Sequence, residues 1–173
     1  VNNALVTSGS YLTLENVDNT ISGAGAIGND GDGHLALTND AGGTIDATGG
    51  TLTLATGKTV TNAGLLEATN GGTLDVQDSV TGSGSVTISG GGLAHFAGTF
   101  NENVTFSGAN AGTLQLDHSA SFTTASTITG FGAGDTIDLH DIAFNSPSTE
   151  SDVWTQSGAS GTLAIYNGTT LEE

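Results

Sequence analysis

The sequence contains no cysteine, methionine or arginine, a single proline and a single lysine, Lys58, among 173 residues. Without cysteine, disulfide bonds cannot stabilise the fold. No apolar run approaches the roughly 18 residues that a membrane-spanning helix needs. Insertion of this segment into a membrane is therefore not expected.

The shortage of basic residues leaves a strong negative charge. The chain carries 18 acidic residues and has a formal net charge of −17 at pH 7. Nucleic-acid binding needs cations that displace the counterions of the phosphates, so nucleic acid is excluded as a partner. The same charge disfavours anionic membranes and polyanionic substrates.

Short apolar runs recur along the chain between corners rich in glycine and asparagine. In residues 51–54, leucines alternate with threonines, which sends leucine to one side of a strand and threonine to the other. Similar apolar pairs follow one another about every 21 residues. Their first members are Leu12, Leu35, Leu52, Leu74, Leu93, Leu114, Ile137 and Leu163.

One such unit cannot fold alone, because its few aliphatic side chains do not offset the entropy lost when its backbone is ordered. Stacked units share backbone hydrogen bonds and bury one continuous aliphatic column. The sequence therefore predicts an all-β parallel β-helix, or β-solenoid, of about seven to eight turns of about 21 residues. We assign residues 1–144 to the solenoid. Residues 145–173, which include Pro147, are assigned to an irregular segment with a terminal strand or partial turn.

Two glycine motifs look like nucleotide-binding loops but lack the required context. Residues 23–28 match GxGxxG, yet helix-breaking residues 29–33 follow where a helix should begin. Lys58 follows Gly57 as in a P-loop, but Leu52 occupies the position of the first P-loop glycine. Both motifs are interpreted as corners.

Acidic corners supply the candidate metal ligands. Asp30 and Asp32 lie within residues 29–34, and Asp135 and Asp141 flank a second acidic strand. Carboxylate and backbone oxygens are ligands that calcium prefers. Because neither an EF-hand nor a glycine-rich calcium nonapeptide is intact, these four residues are candidates for weak calcium sites only. For residues 29–34 the favoured interpretation is an Asx-rich turn, whose side chains bind the amides of their own corner. No other cofactor is expected.

Isolated histidines and phenylalanines give no functional pattern. His95 and His118 have no cysteine or second histidine near them in sequence, which favours structural hydrogen bonding over metal binding. The phenylalanines of residues 96–131 follow no regular period and are interpreted as core residues or end caps, in preference to a stacking platform for sugars or bases. They are Phe96, Phe100, Phe106, Phe122 and Phe131.

Residues 128–139 resemble the end of secreted repeats-in-toxin domains. The matching residues are Phe131, Gly134, Asp135, Ile137, Asp138 and Leu139. Gly130 before the phenylalanine and a shortened gap to Asp135 depart from that pattern. The preceding repeats resemble the β-helical shafts of large bacterial surface proteins, the filamentous-haemagglutinin-like and autotransporter-passenger adhesins. This resemblance implies a right-handed solenoid and a secreted or bacterial cell-surface location.

We therefore expect a non-catalytic structural or adhesive segment of a bacterial surface protein. Its partner would be a surface receptor, a glycan or a matrix component, and no catalytic residue or oligomeric state is assigned.

Two alternatives stay open. A β-helical polysaccharide hydrolase or lyase would use Asp30, Asp32 and His34, although lyases of that resemblance use a basic catalytic residue and this chain has no arginine. Ice binding would need stacked Thr-x-Thr ranks, and only Thr51 and Thr53 form a complete pair.

Overall fold

The computed structural model describes residues 4–5, 11–28, 33–144, 146 and 149–172. It is 57% strand, and within those residues the helical structure is one 3₁₀ turn, Ser119–Ser121. The strands are β1 (Ala4–Leu5), β2 (Leu12–Asn16), β3 (Thr20–Gly28), β4 (Leu35–Asn39), β5 (Thr44–Ala55), β6 (Val60–Asn62), β7 (Leu65–Thr69), β8 (Thr73–Val76), β9 (Val80–Gly82), β10 (Ser85–Ser89), β11 (Leu93–Phe96), β12 (Asn103–Ser107), β13 (Thr113–Leu116), β14 (Ile128–Thr129), β15 (Thr136–Leu139), β16 (Glu150–Ser157), β17 (Ser160–Asn167) and β18 (Thr170–Leu171).

Strands β1 to β15 wind into a β-solenoid with three faces of parallel strands. Face A contains the first halves of β3 and β5, then β7, β10, β12 and β14. Face B contains β1, the second halves of β3 and β5, then β8, β11, β13 and β15. Face C contains β2, β4, β6 and β9. We number the turns 1 to 6 by their face B segments, from β3 to β15.

The predicted parallel β-solenoid is confirmed, with about 6 turns of roughly 22 residues. There are fewer turns than the leucine pairs suggested, because some of the pairs lie on different faces of one turn. Leu35 belongs to β4 on face C, and Leu52 belongs to β5 of the same turn. The pair at Leu163 lies in β17, outside the solenoid.

Inward side chains stack into columns across the turns. Leu54, Val76, Phe96 and Leu116 are register partners on face B, and each is at most 3% exposed. Burying an aliphatic or aromatic side chain of this size contributes roughly 1.5–3 kcal/mol.

The interpretation of Phe96, Phe100 and Phe106 as core is confirmed, since all three are buried and the first two stack with ring centroids 3.8 Å apart. Phe122 is partly buried against this core, whereas Phe131 is 51% exposed and contacts the ring of Phe106, 5.4 Å away between centroids.

A column of glycines sets the corner between faces A and B. Gly50, Gly72, Gly92 and Gly112 each precede the face B strand of their turn. A Cβ atom at Gly72 would lie 2.1 Å from the carbonyl oxygen of Ala47 in the preceding turn, and one at Gly92 would lie 2.1 Å from that of Ala68. Glycine is required there because neighbouring turns pass too close for a side chain.

A buried asparagine ladder sets the corner between faces C and A. The side-chain amide of Asn16 donates to Oδ1 of Asn39 at 2.8 Å, and that of Asn39 donates to Oδ1 of Asn62 at 2.8 Å. Asn39 Nδ2 also lies 3.2 Å from the carbonyl oxygen of Leu65. Each side-chain amide therefore forms hydrogen bonds with buried polar groups at its corner and joins its turn to the next.

The ladder ends on Glu102, which reaches across a turn that has no side chain at this position. Asn62 pairs in register with Gly82 of turn 4, and Asn62 Nδ2 donates instead to Oε2 of Glu102 at 2.7 Å. Glu102 is 3% exposed, and its buried Oε1 has no hydrogen-bond partner. Burial raises the pKa of Glu102, although hydrogen bonds from Asn62 and Gly84 oppose the change.

Beyond the solenoid, β16, β17 and β18 form an antiparallel sheet. The sequence predicts a terminal strand or partial turn in this region. A tight hairpin joins β16 and β17, which Gly158 allows because its φ is +63°. The resulting strands pair with one another locally. Trp154 and Leu163 are register partners, and their side chains are 55% and 45% exposed.

The ladder gives a stability prediction. Asn39→Ala removes the acceptor of Asn16 and the donor to Asn62, so the free energy of unfolding should fall by about 1–3 kcal/mol. Urea unfolding followed by circular dichroism measures the change. The control is Asn19→Ala, which removes an exposed side chain and should change the same quantity by less than about 0.5 kcal/mol. Equal losses in the two variants would contradict a structural role for the ladder.

Glu102 gives a pH prediction. Its raised pKa means that the folded protein holds this proton more tightly, so stability is full below the ordinary value of 4.5 and falls as pH rises through the folded-state pKa. Glu102→Gln should therefore match the wild type in acid and exceed its stability at pH 7 by roughly 1 kcal/mol or more. Urea unfolding between pH 4 and pH 8 tests this, with the exposed Glu15→Gln as control. A Glu102→Gln variant that is less stable at pH 7 would overturn the prediction.

Candidate functional site

The outward side chains of face B form rows that run along the solenoid, because parallel pairing places each residue beside its counterpart in the next turn. On turn 4 these are Leu93, His95 and Ala97. The residues that flank or line the same open depression are Thr51, Thr73, Asp75, Gln77, Thr113, Gln115 and Asp117.

His95 bridges aspartates of the two neighbouring turns. Its Nδ1 lies 2.8 Å from Oδ1 of Asp75 on turn 3, and its Nε2 lies 3.1 Å from Oδ2 of Asp117 on turn 5. The three side chains are 21% to 30% exposed. We call Asp75, His95 and Asp117 the His95 bridge.

Two glutamines extend the bridge symmetrically. Gln77 Nε2 donates to Oδ2 of Asp75 at 3.2 Å, and Gln115 Nε2 donates to Oδ1 of Asp117 at 3.4 Å. Each carboxylate therefore accepts from a glutamine with one oxygen and contacts His95 with the other. The result is a continuous hydrogen-bonded chain of five side chains across three turns.

The bridge changes the protonation of its members. Partial burial lowers the pKa of His95, but the hydrogen bonds and charges of Asp117 and Asp75 outweigh burial, so the net pKa is raised. Burial raises the pKa of Asp117, but the hydrogen bond and charge of His95 outweigh it, and the net pKa is lowered. Both changes favour an imidazolium ion between two carboxylates.

This geometry disfavours the usual chemistry of histidine. Both ring nitrogens are occupied, so His95 has no free lone pair with which to activate a nucleophile. The carboxylates approach from turns that lie about 9.6 Å apart, two strand spacings, and so do not converge on one ion. Within the described residues no group of three or more histidine, cysteine or acidic side chains is placed to hold a metal.

Face A carries a second polar group, the acid pair of Asp46 and Glu67. These residues are register partners on turns 2 and 3. Asp46 accepts hydrogen bonds from Ser22 at 3.1 Å and from Thr69 at 2.8 Å. Burial, and secondarily the charge of Asp46, raises the pKa of Glu67. A more readily protonated acid thus lies beside a hydrogen-bonded carboxylate.

Two of the four candidate calcium ligands serve as corner caps. Asp135 accepts from the backbone N–H of Gly112 at 2.8 Å and from that of Gly132 at 2.9 Å. Asp141 accepts from the N–H of Ser119 at 3.0 Å. The bonds from Gly112 and Ser119 reach back one turn, whereas the Asx-type interpretation places such bonds within one corner. The bond from Gly132 to Asp135 is of that local kind. Asp30 and Asp32 lie outside the described residues.

The runner-up catalytic group is only partly described, since of Asp30, Asp32 and His34 only the histidine has a described position. The ring of His34 lies 5.2 Å from that of Tyr11, and Lys58 Nζ lies 4.8 Å from the centroid of the Tyr11 ring. Lys58, the single lysine, therefore packs on an aromatic ring at the first turns.

Sequence reasoning missed the His95 bridge because it assigned the residues of β11 to the wrong sides of the strand. The repeat of leucine pairs places Leu93 in the core, which is wrong, since Leu93 pairs with Thr73 and Thr113 on the outer surface. Ala94 and Phe96 point inward instead, and both are 0% exposed. Aligning the glycine column, each member of which directly precedes a face B strand, would have placed His95 in the outward row.

The acid pair was missed for a different reason. Asp46 and Glu67 occupy the same position in the segments TIDAT and LLEAT. Their common position is visible in the sequence, but the leucine pairs that define the repeat within the solenoid lie on faces B and C, whereas this acid pair lies on face A.

No protein-family model, curated protein or solved structure matches the chain. None of the helical structure among the described residues has the length or apolar character needed to cross a bilayer. We therefore infer function from the fold and from the contacts of the described side chains.

Calcium binding stays a prediction, which thermal unfolding tests. Millimolar calcium should raise the unfolding temperature through ligand linkage, and magnesium should raise it less because irregular oxygen ligands suit the larger ion. Asp135→Asn and Asp141→Asn should each reduce the calcium increment, whereas Asp152→Asn in β16 should leave it unchanged. Equal unfolding temperatures in calcium and in chelator, at matched ionic strength, would leave these aspartates with only a corner role.

Proposed function

We propose that the chain is a non-catalytic structural or adhesive segment of a secreted or cell-surface bacterial protein. The observation that carries this proposal is the use of reactive side chains to join one turn to the next. His95 has both ring nitrogens engaged by neighbouring turns. Asp78, Asp135 and Asp141 each accept backbone amides of the preceding turn. Side chains arranged in this way stabilise a shaft.

The outer surface of face A on turns 4 and 5 suits an uncharged partner. Between Asp78 and Asp117 the only acidic residue is Glu102, which is buried. The outward residues here carry hydroxyl or amide groups. They are Ser85, Thr87, Ser89, Asn103, Thr105 and Ser107. A neutral, hydrogen-bonding surface on an otherwise acidic shaft supports adhesion to a glycan, a surface receptor or a matrix component.

The resemblance of the repeats to filamentous-haemagglutinin-like and autotransporter-passenger shafts supports the surface location. The stacked turns of this solenoid present long exposed faces, and successive turns are joined by backbone hydrogen bonds between parallel strands.

A second candidate is a polysaccharide hydrolase, and the acid pair on face A favours it. Glycoside hydrolysis uses one carboxylic acid that protonates the leaving group and one carboxylate. The raised pKa of Glu67 suits the acid, and Asp46 suits the carboxylate. Its weakness is that Asp46 is already bound by Ser22 and Thr69.

One experiment separates the two candidates. The purified chain is incubated with immobilised neutral and acidic polysaccharides, and both retention and the release of reducing ends are measured. We expect retention on a neutral glycan without release of reducing ends. The double variant Thr87→Glu, Thr105→Glu should abolish retention, because it places two carboxylates on the neutral surface.

The matched control places charge on another face. Thr61 is an exposed, outward residue of β6 on face C, so Thr61→Glu should leave retention intact. Equal loss of retention in both variants would argue against face A as the adhesive surface. Release of reducing ends that Glu67→Gln abolishes would establish the hydrolase and overturn the adhesive proposal.

A further inference from the structure

We propose that the His95 bridge is a pH-sensitive clasp across turns 3, 4 and 5, closed while the imidazole carries two protons and opened when it loses one. This inference does not depend on what the shaft binds. It rests on the contacts of one ring with two carboxylates.

The number of protons on the ring decides whether both contacts are attractive. A neutral imidazole has one N–H and one lone pair, whereas the imidazolium has two N–H donors. The contacts at 2.8 Å to Asp75 and 3.1 Å to Asp117 are both hydrogen bonds only when both nitrogens carry a proton. Loss of either proton sets a lone pair against a carboxylate oxygen, which repels it.

Among the ionisable groups on this part of face B, His95 is the one whose positive charge lies between two carboxylates. The facing ionisable groups are Asp75, Asp117 and, from turn 6, Asp138 and His140. His140 Nδ1 lies 3.9 Å from Asp138 Oδ2, and the charge of His140 contributes to lowering the pKa of Asp117. The remaining neighbours, Gln77, Gln115 and the threonines, are neutral. The single lysine, Lys58, packs on Tyr11 instead.

The pH window follows from the direction of each shift. The raised pKa of His95 means that its contribution to stability is complete below the ordinary value of 6.5 and is lost as pH rises through the folded-state pKa. The lowered pKa of Asp117 means that its contribution is complete above the ordinary value of 3.8 and is lost as pH falls through the folded-state pKa. The clasp is therefore fully closed between those two ordinary values. It opens on the alkaline side as His95 loses a proton and weakens on the acid side as Asp117 gains one.

Opening should be local. Leu74, Ala94 and Leu114 remain buried beneath the clasp and keep the three strands in register. Deprotonation therefore changes the outer surface of β8, β11 and β13 more than the core. Removing one proton also raises the negative charge of the bridge from one to two, which separates the turns further by repulsion.

The test measures the titration of His95 directly by NMR of its ring in the folded chain. In the wild type the pKa of His95 should lie above 6.5. Asp75→Asn and Asp117→Asn should each lower it, and the double variant should bring it below 6.5, because burial alone lowers it. Each pKa unit corresponds to about a tenfold change in the folded-to-unfolded ratio across the transition.

Hydrogen exchange shows whether the titration opens the surface. Amides of β8, β11 and β13 should lose protection in the wild type as pH rises through the His95 transition, after correction for the intrinsic exchange rate. His95→Gln should remove this step. The exposed His118→Gln is the matched control and should retain it. A His95 pKa at or below 6.5, or one that neither aspartate variant changes, would overturn the clasp, as would a protection step that persists in His95→Gln.

Discussion

Backbone hydrogen bonding between successive turns is the constraint on which the rest of the structure depends. Each strand of the solenoid pairs in parallel with the strand one turn away, so the side chains of paired residues lie beside one another at about 4.8 Å. Apolar side chains then form columns, asparagines form a ladder and corner glycines stack. The same rule places like charges together, as with Asp46 and Glu67. In a chain of net charge −17, stacking therefore limits where neighbouring turns can place acidic residues, because like charges directly opposite one another are destabilising.

The structure handles this charge by pairing acids with partners other than lysine or arginine. Asp75 and Asp117 share the protonated ring of His95, and Asp78 accepts backbone amides of the preceding turn. Glu102 is buried at the end of an amide ladder, where burial favours its neutral form. Each solution connects adjacent or next-adjacent turns, so the acidic residues contribute to the cohesion of the shaft.

The fold could be predicted from the sequence because the alternation of leucine and threonine, the glycine corners and the repeat length all favour the same architecture. The number of turns could not, because leucine pairs on two faces look alike until strand pairing separates them. The His95 bridge was hidden by a displacement of one residue at Leu93, which exchanges the inner and outer sides of a strand. The asparagine ladder was missed because asparagine at a corner is usually interpreted as a turn residue, without regard to its neighbours in the adjacent turns.

The reach of Glu102 past Gly82 has a consequence for how such a chain can change in length. Most contacts here join a turn to its immediate neighbour, so duplicating or deleting a whole turn elsewhere would recreate equivalent contacts at the new junction. Glu102 on turn 5 instead binds Asn62 on turn 3, and Gly82 on turn 4 leaves the necessary space. Duplicating turn 4 would move the two partners apart by about 4.8 Å and leave a buried carboxyl group without its hydrogen bond from Asn62. This part of the shaft is therefore an indivisible block of three turns within an otherwise modular array.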